Sequence, residues 1–227
     1  MDYNQNKEMR ELDRTITVQG TGLVRVPPDT VTLSMTVSAR FPSYEEAVTR
    51  CQEQADRLIR AAADAGYERE QVKTISFNVT PEYDSVQENG IFRSVFSAYR
   101  CQQDLKLEFD YSRSALAAAL NAIRESGADP ELRIGFTVKE PEKVREKILR
   151  AAAENAKAKA EILCSASGVS LGRLIRIDYH RDDAGLYSET AMYRNSGVAM
   201  GKMAAMDSFT PAEIEKSDSA AFVWEIL

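Results

Sequence analysis

Histidine is almost missing from this sequence: His180 stands alone among 227 residues. That scarcity excludes a multi-histidine metal centre and makes any Ser-His-Asp triad depend on one side chain. His180 follows an apolar strand and precedes Arg181, Asp182 and Asp183, the setting of a solvated strand end, and no GxSxG signature accompanies it. Cysteine is also sparse. Cys51, Cys101 and Cys164 lie far apart, form no CxxC, and leave at least one thiol unpaired in any disulfide scheme, which favours a reducing compartment. Their positions on helices and a strand, away from helix N-termini, read as small buried hydrophobes. No segment approaches the roughly 18 uninterrupted apolar residues of a membrane span, so direct membrane insertion is not expected. Residues 1–14 form a polar lead without an apolar stretch of signal-peptide length, and the expected location is the cytoplasm. Positive charge is in deficit too. A net charge of −6 and a pI near 5.1 repel phosphate backbones, so nucleic acid is not an expected partner.

What is present is ordinary globular material, 44% hydrophobic and 28% charged. TITVQGTGLVRV, residues 15–26, reads as a kinked strand in which Gly20 and Gly22 mark a bulge or a tight backbone approach. Pro27 and Pro28 end it. Val31, Leu33, Met35, Val37, Ala39 and Phe41 then alternate with polar residues, the pattern of a strand buried on one face. Ser43 and Glu46 have capping-box spacing, and Ala47, Val48, Cys51, Ala55, Leu58, Ile59 and Ala62 trace a helix stripe to Gly66. Alternation returns in Ile75, Phe77, Val79, Pro81 and Tyr83 and again from Cys101 to Phe109, joined by a turn at residues 84–90. A helix from Ser112 to Gly127, a strand through Leu132, Ile134, Phe136 and Val138, and a long alanine-rich helix from Pro141 to Gly168 follow. Strands at 173–179 and 220–227 complete the chain, separated by a long loop at 181–217. The fold class is therefore α+β: a mainly antiparallel sheet with about three helices packed on one side, in a single domain over 15–227. The element order hints at an internal duplication.

Few constellations invite chemistry. Gly20-Thr21-Gly22 lacks the following helix that a phosphate loop needs, so a strand bulge is the reading. Glu45-Glu46 and Asp182-Asp183 are explained by a helix start and loop solvation. The basic residues of the long helix interleave with Glu142, Glu146, Glu154 and Glu161, which points to intrahelical pairing. No catalytic residue, cofactor or metal is expected.

The stretches ITVQGTG, PPDTV, DAGYEREQVKTISFNVTPEY, AAAENAKAKAEILCSASGVSLGRLIRI and FTPAEIEKSDSAAFVWEIL, taken in order, resemble the bacterial SIMPL-domain family. The resemblance covers residues 15–177 and resumes near the C-terminus. It implies an antiparallel sheet backed by helices, assembly of some members into ring-like or channel-like homo-oligomers, and no established catalytic residue. The expected partner is thus the chain itself, with an unidentified protein partner as a further possibility. Candidate contact residues lie in the weakly periodic segment: Leu186, Tyr187, Met192, Tyr193, Met200, Met203 and Met206, apolar and adaptable side chains that a solvated linker does not need. Disorder and soft-metal ligation are the alternatives for that segment. For function, a non-enzymatic assembly protein stands beside a small-ligand binder or enzyme whose site is dispersed in sequence.

Overall fold

The computed structural model describes residues 14–88, 91–180, 185–194 and 210–227. The described strands pair antiparallel, and three helices accompany them, so the α+β class holds. The strands divide between two sheets, each within its own compact unit.

One unit holds β1 (Thr15–Val26), α3 (Pro141–Ala166), β6 (Leu171–Tyr179) and β8 (Ile214–Ile226), with sheet order β1-β8-β6. Pro27 and Pro28 lack the N–H a ladder needs, so β1 ends there and pairs with the last strand instead of the next one. The β1–β8 register runs unbroken from Thr15↔Glu225 to Val26↔Ile214. The bulge expected at Gly20 and Gly22 is therefore absent, and the tight backbone approach is what both glycines serve. A Cβ on Gly20 would stand 2.1 Å from the Ala152 carbonyl oxygen, and one on Gly22 would stand 1.9 Å from that of Ile148. The alanine-rich helix lies directly on the strand. Val18, Ala156, Ala160, Ala220, Phe222 and Trp224 make the small core beneath it, with the Phe222 and Trp224 rings stacked at 5.5 Å.

The other unit holds β2 (Thr30–Phe41), α1 (Tyr44–Asp64), β3 (Val72–Glu88), β4 (Ile91–Asp110), α2 (Arg113–Glu125), β5 (Glu131–Thr137) and β7 (Met192–Arg194), with sheet order β3-β4-β2-β5-β7. Val31, Leu33, Met35 and Val37 on β2 are buried as their alternation requires. Ser43 caps α1 by accepting from the Glu46 N–H, and Gly66 follows the helix at φ +93°. The alanines and Cys51 of α1 meet Leu105, Leu107, Leu116, Ile134 and Phe136 in one continuous core.

Two boundaries differ from the sequence reading. The 181–217 loop contains structure: Tyr187 bridges Thr137, Ser188 N–H donates to the Phe136 carbonyl, β7 pairs with β5, and β8 starts at Ile214. The polar run Glu215–Ser219 hid that start, because it pairs with β1 while β6 reaches only Ala220. The 84–90 turn is equally contracted, since β3 continues to Glu88 and β4 begins at Ile91.

Candidate interaction surface

The extra length of β3 and β4 makes an arm. β2 accompanies β4 only as far as Phe41↔Tyr99, whereas the β3–β4 ladder continues outward to Glu88↔Ile91. Beyond Tyr99 the arm has two strands, and a two-stranded ribbon cannot bury both faces. Phe92 is 68% exposed and Tyr83 58%, and Val86, Val95 and Phe96 are exposed as well. Tyr83 meets Phe96 edge-on at 6.0 Å, Phe96 meets Tyr99 at 5.0 Å, and Tyr99 meets Tyr44 of α1 at 5.6 Å, so a chain of rings runs from the arm to the helix start.

A register shift at Glu82/Tyr83 marks the base of the arm. There Glu82 accepts from Arg40 Nε at 2.6 Å and from Arg100 Nε, while Arg40 Nη2 donates to Ser97 Oγ at 2.6 Å. The bonds from Arg100 and Arg40 hold the Glu82 carboxyl below the ordinary glutamate range, against a smaller upward push from burial. A carboxylate with a depressed folded pKa contributes above its unfolded value, about 4.3, and loses that contribution as pH falls through the lower folded value. Glu82→Gln is expected to speed amide exchange over the arm several-fold at pH 7, after correction for intrinsic rates. In the unmodified chain the same loosening is expected only below the ordinary glutamate range.

The sheet edges differ in how they are managed. Along β1, Lys159 Nζ donates to the Gln19 carbonyl at 3.1 Å and Asn155 Oδ1 accepts from the Thr21 N–H at 3.1 Å, so α3 takes up the middle of this edge. β6, at the opposite edge, exposes Leu174, Ile175, Ile177 and Tyr179. β3 is the edge of the larger sheet and exposes Ile75 and Phe77, and its row is interrupted by the register shift at Thr74/Ser76 and by Pro81, which has no N–H. That shift also takes Ile75 out of the alternating phase read from the sequence.

The larger sheet also carries a depression of about 550 Å³, lined by polar residues such as Thr36, Gln102 and Asp104 and by the apolar Met35, Ile75 and Leu132. Burial pushes the Asp104 carboxyl up, but bonds donated by Ser76, Thr36 and Gln102 outweigh it and leave the group below its ordinary range. Thr36 and Gln102 donate to one Asp104 oxygen and Ser76 to the other, and all three donors are neutral. Among the described residues no cluster of three or more His, Cys, Asp or Glu side chains is arranged to hold a metal ion, and no helix is long and apolar enough to cross a membrane.

The contact residues proposed from sequence are placed as follows. Leu186 is a core residue at 3% exposure, Tyr187 is 62% exposed, and Met192 and Tyr193 lie in β7 opposite Ile134 and Arg133. Met200, Met203 and Met206 lie outside the described residues. The apolar side chains of the arm were missed, although the aromatic and β-branched run Phe92, Val95, Phe96 and Tyr99 carries the strand signal.

The profile of the family SIMPL, described as protein of unknown function (DUF541), matches residues 16–224. The chain is similar to the 26 kDa periplasmic immunogenic protein of Brucella melitensis biotype 1, at 26% identity over 179 residues, 77% of this chain and 70% of that protein. It is also similar to the uncharacterized protein YggE of Edwardsiella ictaluri, at 24% identity over 93% of this chain and 86% of that one. The YggE of Escherichia coli K12 is 22% identical over 93% and 82%.

Proposed function

The chain belongs to the SIMPL family, and we propose that it acts as a non-enzymatic protein that assembles with copies of itself. The observation that carries this reading is the β3–β4 arm, whose Tyr83, Phe92, Val95 and Phe96 are presented to solvent on a ribbon fastened at its base by Glu82. Apolar side chains exposed in this way lower their free energy by burial, and a second copy brings the same side chains to a symmetric contact. Sedimentation of the full chain at micromolar concentration tests the reading: a species heavier than the 25.3 kDa protomer is expected, and a protomer at every concentration overturns it. The depression around Asp104 favours a second reading, a binder of a small ligand, which such a monomer would bring forward.

The three cysteines are free and buried, and on them we place the protein in the cytoplasm. The word periplasmic in the name of the Brucella relative supports the other compartment. Fractionation of cells making the full chain is expected to recover it with the soluble interior, and recovery outside the inner membrane overturns the placement.

A further inference from the structure

We propose that the depression on the larger sheet binds a dipeptide zwitterion, its ammonium on a row of Asp104, Thr36 and Glu131 and its carboxylate on a row of Lys106, Ser34 and Arg133. The rows follow from register. β2 lies between β4 and β5, with Thr36 opposite both Asp104 and Glu131, and Ser34 opposite both Lys106 and Arg133. Directly opposite residues share a face, so each row carries two like charges on strands about 10 Å apart with a small hydroxyl side chain between them. Two residues along an antiparallel strand span about 6.8 Å, which sets the acidic row that far from the basic one. Met35, Leu105 and Leu132 also border the depression, but their side chains are buried in the core on the other face, so they lend it backbone. Ile75, put out of phase by the register shift at Thr74/Ser76, is exposed beside Asp104 and gives the acidic end an apolar wall.

Asp104 and Lys106, neighbours on this face, do not neutralise each other. Lys106 Nζ turns to Glu108 at 2.7 Å, while Asp104 accepts from the hydroxyls of Thr36 and Ser76 and the amide of Gln102. Neutral donors stabilise a carboxylate without cancelling its charge, and of its roughly four acceptor positions three bonds leave one for an ammonium N–H. An ammonium has three donors, so the bond to Glu108 leaves Lys106 able to take a carboxylate as well. Like charges across each row repel, and a ligand ammonium between Asp104 and Glu131, or a carboxylate between Lys106 and Arg133, relieves that repulsion. An extended dipeptide spans about 7 Å, the spacing of the rows, whereas a free amino acid reaches only about half as far. Its peptide group then lies over Ser34 and Thr36, and its N-terminal side chain meets Ile75. Binding of this kind rests on the small-ligand reading and does not depend on self-association.

Calorimetric titration of the full chain with leucyl-alanine tests the assignment. Saturable binding at millimolar concentration is expected. N-acetyl-leucyl-alanine, which lacks the cation, and leucyl-alanine amide, which lacks the anion, are each expected to bind about tenfold more weakly. Glu131→Gln and Arg133→Gln alter exposed side chains, and each is expected to weaken leucyl-alanine by a similar factor with an unchanged urea midpoint. Glu53→Gln, on the exposed side of α1, is expected to leave binding as it was. No saturation by roughly 10 mM overturns the proposal, and so does binding that neither Glu131→Gln nor Arg133→Gln weakens. Capped dipeptides that bind as tightly as the free one overturn the zwitterion and leave the small-ligand reading standing.

Discussion

Gly22→Ala is expected to destabilise the unit that holds β1 and α3 by about 3 kcal/mol, the upper end of the cost of overpacking a closed interior. The added methyl carbon would stand 1.9 Å from the Ile148 carbonyl oxygen and 2.9 Å from the Ala152 nitrogen, both backbone atoms of α3 that no rotamer change can move aside. Relief requires the helix to lift from the strand. Lifting it would strain the bond between Thr21 N–H and Asn155 Oδ1 and the one between Lys159 Nζ and the Gln19 carbonyl, re-exposing the β1 edge. It would also loosen Ala156 and Ala160 from Phe222 and Trp224. Gly20→Ala meets the Ala152 carbonyl oxygen at 2.1 Å and the Ala156 Cβ at 2.6 Å, and a similar loss is expected. Gly135→Ala is the control: no heavy atom lies within 4 Å of its added carbon, and a change within about 0.5 kcal/mol is expected. Urea unfolding of the three variants checks the set, and a Gly22→Ala midpoint equal to that of Gly135→Ala would contradict close helix contact.

How much of this was legible depends on which elements bury one face. β2 and α1 were read with their buried residues because each presents a single apolar stripe to a core, and β5 likewise. The first half of β8 was not, because Glu215–Ser219 pairs with β1 in a ribbon that asks for no apolar side chains: Arg25 binds Glu215 across it at 2.6 Å. The arm escaped for the related reason that a ribbon with solvent on both faces selects no burial pattern. Gly20 and Gly22 signalled a missing Cβ, but a bulge and a close helix approach need that equally. The deciding half of the signal lay on α3, where Ile148, Ala152 and Ala156 repeat every four residues on one face. Leu186 looked like a contact residue by composition alone and is core, since composition does not separate a side chain kept for an interface from one kept for packing.

Replacing Phe92 and Val95 together by aspartate is expected to weaken self-association at least 100-fold and to leave a 25.3 kDa protomer at micromolar concentration. Phe92 and Val95 stand on opposite faces of the ribbon, so the pair of substitutions reaches whichever face makes the contact. Burying a Phe or Val side chain contributes roughly 1.5–3 kcal/mol, and an aspartate in its place adds the cost of an unpaired buried charge. A loss of about 3 kcal/mol already moves a dissociation constant by about two powers of ten. Both side chains are exposed in the protomer, so the substitution removes no folding contact of the size it removes from an assembly. Phe96 is left in place because its ring rests on Tyr99 at 5.0 Å and holds the arm to the sheet. An unchanged circular dichroism spectrum and urea midpoint would establish that the protomer stays folded. Ile175→Asp on the exposed β6 edge is the matched variant. A drop in mass for the arm variant alone assigns the contact to the β3–β4 arm, and a drop for the β6 variant alone moves it to the other sheet. Assembly untouched by the arm substitutions would sever the link between the exposed rings and self-association.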